Sequence, residues 1–207
     1  MRAAQQIQPA NQRSPFLSVS ASKVAPFVFE IVGGYIQELV LNPVRTQAAT
    51  NSLVLFLGNV TSQRCYNAGK PFDKDSAMAS TLFGLVFGGA VPHHFYRVLD
   101  SLSKGKQLHG KFFRFLVERL VFAPLYLLLR LYMTAIFEGK SHRAACKQVF
   151  LSYQKLLRDN WVALSIFQFY GVNFVPPIFR PIFSGVIEFF WTIHLCNVRR
   201  AVEKKRR

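Results

Sequence analysis

Acidic residues are scarce. Ten Asp and Glu stand against twenty-six Lys and Arg in 207 residues, for a formal net charge of +16. That balance leaves two broad classes, a nucleic-acid binder or a membrane protein with basic loops. The cations fall between apolar runs and do not gather in one patch, so basic loops account for the charge and no nucleic-acid partner is expected. Cysteine is nearly absent as well: Cys65, Cys146 and Cys196 are unclustered, with no C-x-x-C. This excludes a disulfide framework and zinc spacing, and the three read as structural thiols. No apolar h-region of about 7–15 residues follows the start, so no secretory signal is expected. Catalytic patterns are missing too. There is no G-x-S-x-G and no H-E-x-x-H. Glu138-Gly139-Lys140-Ser141 resembles the end of a phosphate loop, but Thr134 stands where the pattern needs Gly. His93-His94 has no carboxylate or thiol at ligand spacing and reads as a helix-end pair. With no nucleophile, base and orienter assembled, neither an enzyme nor a bound cofactor or metal is expected.

What is abundant is apolar: 51% of residues, twenty-one Phe among them, with a mean hydropathy of +0.19. Uncharged or nearly uncharged runs cover Thr46–Gln63, Ser76–Tyr96, Leu120–Phe137 (with Arg130), Asn160–Phe179 and Ile182–Val198 (with Glu188). A membrane span needs about 20 apolar residues, and a soluble helix would show a charged face at every turn. The expectation is an all-α polytopic membrane bundle of about four spans with amphipathic helices beside them. As one helix, residues 160–198 would reach roughly 58 Å at ~1.5 Å per residue, against ~30 Å of hydrocarbon. The segment must break, and Pro176, Pro177 and Pro181 are the residues that break it.

Residues 1–29 contain Arg2, Arg13 and Lys23 and no acid. They read as a disordered tail or a mitochondrial targeting segment. Residues 30–200 form the bundle and 201–207 a basic tail, suited to anionic lipid, with Lys204-Lys205 also fitting a dilysine pattern. Val24–Asn42 reads as an amphipathic helix, interfacial or core, ended by Asn42-Pro43. Ser141–Asp159 reads as a second one, capped by Ser141. Its apolar face would be Cys146, Phe150, Tyr153 and Leu157, and Arg143, Lys147, Lys155 and Arg158 suit headgroups. With four spans the termini share a side, and the Lys and Arg of that side number fifteen against eight, which places it in the cytosol or matrix.

Ser80, Gly84 and Gly88 recur every fourth residue, the spacing that lets helix backbones approach in lipid. Glu118, Arg119, Arg130, Arg180 and Glu188 are ionisable residues inside apolar stretches. Each costs about 2.5–3.5 kcal/mol at mid-bilayer, so each should face a partner or water. Arg119 and Arg130, about three turns apart, should share a face, with Glu188 the counter-charge of one. Two readings follow, a polar pathway or structural ion pairs with snorkelling.

With the spans placed, the chain resembles the Mpv-seventeen/peroxisomal membrane protein two family. The family's Y-x3-L-x3-P appears as Tyr35, Leu39 and Pro43. Its G-D-x3-Q appears as Gly58, Asn59 and Gln63, with Asn replacing Asp. Its G-P-x2-H-x-W-Y-x2-L-D is matched by Gly89, Ala90, His93, Phe95, Tyr96, Leu99 and Asp100. Arg114, Glu118, Arg119 and Pro124 follow K-x3-D-Q-x4-P, and Glu138-Gly139 the next E-G. The signature N-W-x2-W-P-x2-Q-x6-V-P-x3-R-x10-W reads Asn160, Trp161, Leu164, Ser165, Gln168, Val175, Pro176, Arg180 and Trp191. The likeness runs from about Tyr35 to Cys196, that of a divergent member. It implies a multi-pass, non-enzymatic protein of the mitochondrial inner or peroxisomal membrane, associated with small-solute pores. The expected partners are the lipid bilayer and small solutes, and a homo-oligomer is compatible with the pattern. Asn59, Gln63, Glu118, Arg119, Arg130, Gln168, Arg180 and Glu188 are the expected pore-lining or gating residues. The second reading is a non-conducting scaffold.

Overall fold

The computed structural model describes residues 30–66, 69, 71–102, 108–176 and 178–204, and every regular element among them is helical. The chain divides after Glu38. Before that point the described residues, 30–38, are helical. From Leu39 onward the helices are α1 (Pro43–Tyr66), α2 (Lys74–Val86), α3 (Ala90–Leu102), α4 (Leu108–Val117), a π-helical segment Glu118–Phe122, α5 (Ala123–Phe137), α6 (His142–Asn173) and α7 (Arg180–Lys204). Of the expected break residues Pro177 lies outside the described residues, as do positions 1–29 and 205–207.

Side-chain bonds fix the directions. Asn51 Nδ2 donates to the Gly88 carbonyl, and Asn59 Nδ2 to the Ser80 hydroxyl at 2.8 Å, so α1 and α2 are antiparallel. Arg130 meets Glu188 and Arg199 meets Glu138, so α5 and α7 are parallel. Tyr153 meets Pro124 and Asn160 meets Arg119, while Gln148 meets Glu203 and Asp159 meets His194, so α6 opposes both. Asn59 meets Cys196 and Ser62 meets Arg200, so α1 parallels α7. α1, α5 and α7 thus run one way, α2 and α6 the other. Pro43 and Lys204 consequently lie at opposite ends of the bundle, where a four-span arrangement would have put them together. The core joins Leu127 and Leu131 of α5, Val149 and Leu156 of α6, and Trp191, Leu195 and Val198 of α7.

Two stretches are long and apolar enough to cross a bilayer, Gly110–Phe137 and Arg180–Lys204, with mean hydropathies of 1.8 and 1.2. The other expected spans fall short because lack of charge is not apolarity: α1 contains Gln47, Asn51, Ser52, Asn59 and Gln63. The run Ser76–Tyr96 is not one helix but α2 and α3, joined by a turn at 87–89. Backbone proximity requires glycine at this turn. A Cβ on Gly84 would lie 2.6 Å from Ser52 Cα, and one on Gly89 would collide with the Val44 carbonyl. Ser141–Asp159 is not a separate helix either, since α6 continues unbroken to Asn173. Ser141 is its N-cap residue but makes no side-chain capping bond.

The break at 174–179 is where the sequence puts it. Phe174 ends α6, the Pro176 carbonyl accepts from Phe179 and Arg180 N–H groups at 2.9 and 3.2 Å, and α7 begins. Pro181 sits in the first turn of α7, where a missing N–H costs nothing, so it opens the new helix. Pro124 explains the π segment. Without an N–H it cannot bond the Leu120 carbonyl, and its ring would strike that group. The Ala123 N–H bonds instead to the Glu118 carbonyl, one residue further back.

Candidate functional site

A cavity of about 850 Å³ lies among α1, α3, α5, α6 and α7. Arg97, Asp100 and Arg180 line it at the Pro43 end, Glu118 and Gln168 further in, and Arg130 with Glu188 at its inner limit. Its walls are mostly apolar and aromatic, with Tyr96, Phe122 and Tyr126 among them. Phe122 stacks on Phe95 and Tyr126 at centroid distances of 4.2 and 5.2 Å, which holds the π segment against α3.

Arg130 and Arg180, two of the charges that border the cavity, are each held by several bonds. Arg130 leaves α5 buried and meets the Glu188 carboxylate of α7, while its Nη2 donates to Thr192 Oγ1 at 2.8 Å. Arg180 leaves the first residue of α7. Its Nε and Nη2 donate to the Val175 and Val172 carbonyls at 3.1 and 3.2 Å, and its Nη1 to Asp100 at 3.2 Å. Those two carbonyls lie at the broken end of α6, where no continuing helix can satisfy them. The arginine that follows the prolines therefore caps the helix they end, and ties it to α3. Asp100 also pairs with Arg114 at 3.5 Å. Glu118 is buried against the cavity, with Oε2 lacking a hydrogen-bond partner and Arg119 Nε 3.1 Å away.

Of the expected lining residues, Glu118, Arg130, Gln168, Arg180 and Glu188 border the cavity; Arg119, Asn59 and Gln63 do not. Arg119 is eleven residues from Arg130 but on another face. The wider π turn shifts the helical phase by about 100° per extra residue. Its guanidinium instead donates to Asn160 Oδ1 at 2.6 Å and the Leu164 carbonyl at 3.2 Å, while Trp161 Nε1 donates to the Arg119 carbonyl at 3.1 Å. The Asn-Trp pair of the sequence signature is thus a clamp on the π segment. Asn59 and Gln63 are buried in a polar seam. Asn59 bonds Ser76, Ser80 and Cys196, and Gln63 exchanges two bonds with the Asp73 backbone. Thr192, Asp100 and Asn160 are the site residues that sequence reasoning left without a role. The i, i+4 spacing of Glu188 and Thr192 was the available signal for the first.

At the opposite end, a smaller pocket of about 220 Å³ is lined by Asp73, Asp75, Glu138, Lys140, Arg199 and Arg200, among others. Glu138 receives Arg199 Nη2 at 2.8 Å and lies 2.9 Å from Lys140. Burial alone would raise its carboxyl, but the two cations outweigh it and hold Glu138 below the usual carboxylate range. Between the two pockets the bundle is filled by buried Leu131, Thr192 and Leu195. Among the described residues no group of three or more His, Cys, Asp and Glu gathers to hold a metal.

The family model described as Mpv17 / PMP22 family matches residues 135–196. Over 181 residues the chain is 26% identical to peroxisomal membrane protein 2 of Bos taurus, covering 84% of this chain and 92% of that one. Over residues 135–196 the chain is similar to the Mpv17/PMP22 family. Peroxisomal membrane protein PMP22 of Arabidopsis thaliana is 26% identical over 78% of this chain and 85% of its own. Protein SYM1 of Saccharomyces cerevisiae is 24% identical over 83% and 91%. No solved structure matches. The described fold is all-α, with two helices long and apolar enough to cross a membrane, and two of these similar proteins are named as peroxisomal membrane proteins. The matched segment holds α6, the proline break and most of α7. It therefore includes Asn160, Trp161, Gln168, Arg180, Glu188 and Thr192.

Proposed function

We propose that this protein is channel-like and passes small solutes across an organelle membrane through the cavity. The observation that carries this is the 850 Å³ chamber itself, bordered by charged and amide side chains from helices that sequence places inside apolar stretches. A bundle of this size that only bridged helices would fill that space with side chains. The inner limit at Arg130, Glu188 and Thr192 makes this the closed form, with a vestibule at one end and a polar pocket at the other. Gly110–Phe137 and α7 cross the membrane, with α1, α2 and α6 packed alongside. From Leu39 onward, Lys and Arg of 64–74, 140–158 and 199–207 number fourteen, and those at 45, 97–114 and 180 number seven. This bias puts the Lys204 end in the matrix or cytosol. The mitochondrial inner membrane is favoured by the acid-free N-terminal segment, and the peroxisomal membrane by the names of the bovine and Arabidopsis relatives. The role is non-enzymatic. Solute efflux from liposomes carrying the purified protein tests it: leakage graded by solute size is expected, and tightness equal to that of empty liposomes refutes it.

A second reading, a non-conducting scaffold, is favoured by one observation. Arg130 and Arg180, although they border the cavity, are already held by carboxylates on other helices. Tight liposomes together with a stoichiometric protein partner would favour it.

A further inference from the structure

The outward face of α6 differs from those of its neighbours. Val149 and Leu156 of α6 join Leu127 and Leu131 of α5 and Trp191, Leu195 and Val198 of α7 in one core. Outward, α5 and α7 turn aliphatic and aromatic residues: Leu125 is 62% exposed, Leu128 45% and Phe190 64%. α6 turns out Arg143, Lys147, Lys155 and Arg158. In the first half of α6 the buried residues are Ala145, Gln148, Val149, Ser152 and Leu156; of the apolar face expected from sequence, Tyr153 and Leu157 pack against the core, while Cys146 and Phe150 point outward. Phe150 is 81% exposed and Leu151 lies beside it. Beyond Arg158 the same face continues as Val162, Ile166 and Phe169 with no charge. Among the described residues Arg143, Lys147 and Lys155 have no acidic partner, and Arg158 has only Asp159, at 4.0 Å.

Hydrocarbon cannot cover such a face, at about 2.5–3.5 kcal/mol for each cation placed centrally. A second copy meeting it by two-fold symmetry would set cations against cations. We propose that this face of α6 is a binding site for anionic phospholipid. Headgroup phosphates lie on Lys147, Lys155 and Arg158, and acyl chains cover Phe150, Leu151, Val162 and Ile166. The alternation of cations with apolar side chains matches a molecule that is anionic at one end and aliphatic at the other. The local headgroup layer is drawn down towards α6, which leaves no cation in hydrocarbon. This site is separate from the cavity and stands whether or not the protein conducts.

The test is native mass spectrometry of the full chain in mild detergent, titrated with phosphatidylglycerol or phosphatidylcholine. The variant Lys147→Gln/Lys155→Gln/Arg158→Gln is run beside it, with Lys204→Gln as a control in the basic tail. All four residues are exposed, so the bundle is left intact. Retention of phosphatidylglycerol over phosphatidylcholine is expected, weakened roughly a hundredfold in the triple variant at about fivefold per cation removed, and unchanged in Lys204→Gln. Equal retention of both lipids, an unaffected triple variant, or an equal loss in Lys204→Gln overturns the site. So does an acidic protein that occupies the face and excludes phosphatidylglycerol.

Discussion

Removing the charge of Glu188 while keeping its shape is the sharpest perturbation of this bundle. In Glu188→Gln, Arg130 stays buried in α5 with Thr192 Oγ1 at 2.8 Å as its remaining close partner. Breaking one side of a buried ion pair costs about 3–5 kcal/mol, because a buried charge loses its counter-charge. For a chain of this size 1 kcal/mol moves the midpoint by roughly 2–4 °C, so a fall of about 6–20 °C is expected. The protein contains its own reporter. Cys196 is 3% exposed whereas Cys65 and Cys146 are exposed. In a Cys65→Ser/Cys146→Ser background, labelling by a thiol-reactive dye then reads the unfolding of the core alone. The double variant Arg130→Met/Glu188→Met removes both charges at similar volume and should recover most of the loss. A Glu188→Gln midpoint within about 2 °C of the parent would refute the pairing, as would a double variant whose loss equals the sum of the two single ones.

Three further outcomes are expected. Gly84→Ala sets a Cβ 2.6 Å from Ser52 Cα and should cost about 1–3 kcal/mol, read as a lower midpoint in the same dye assay. Gly139 has φ +76° and closes α5, with the Lys140 N–H returning to the Ala135 carbonyl. Gly139→Ala should therefore cost about 1–2 kcal/mol. Glu138 has its carboxyl depressed on folding, so its contribution is present above its unfolded value and lost as pH falls through its lower folded value. The midpoint should drop as the medium is acidified below the ordinary carboxylate range, and Glu138→Gln should be less stable at neutral pH and flatter in that acid limb. A steeper acid limb in the variant would contradict this.

Much of the fold is legible because it follows from composition and proline. Long uncharged runs mark helices, two of them long and apolar enough to cross a membrane, and the crowding of Pro176, Arg180 and Pro181 marks where α6 must stop. The fate of Arg180 is not legible, since the carbonyls it caps become orphans only once the break exists. Three other features depend on tertiary packing. The split of α2 from α3 follows from Gly84 and Gly89 meeting α1. The π segment follows from Pro124 together with Asn160 and Trp161, which clamp it from a helix about forty residues away. The face that α6 buries was legible only in part: Tyr153 and Leu157 pack against the core, whereas Cys146 and Phe150 point outward and the core took Ala145, Gln148 and Ser152. Asn59 and Gln63 show the same limit within one helix. They share α1 with Gln47 and Asn51, and only the latter two border the cavity.

The central claim is that solutes pass through the cavity, and single-channel recording in planar bilayers tests it most directly. Wild type is compared with Gln168→Trp, which places a bulky ring on the cavity wall without touching an ion pair, after the dye assay has shown both to be folded. Discrete conductance steps in the wild type, reduced or abolished in Gln168→Trp, are the predicted result. A silent wild type, or steps of equal size in the filled variant, would contradict it.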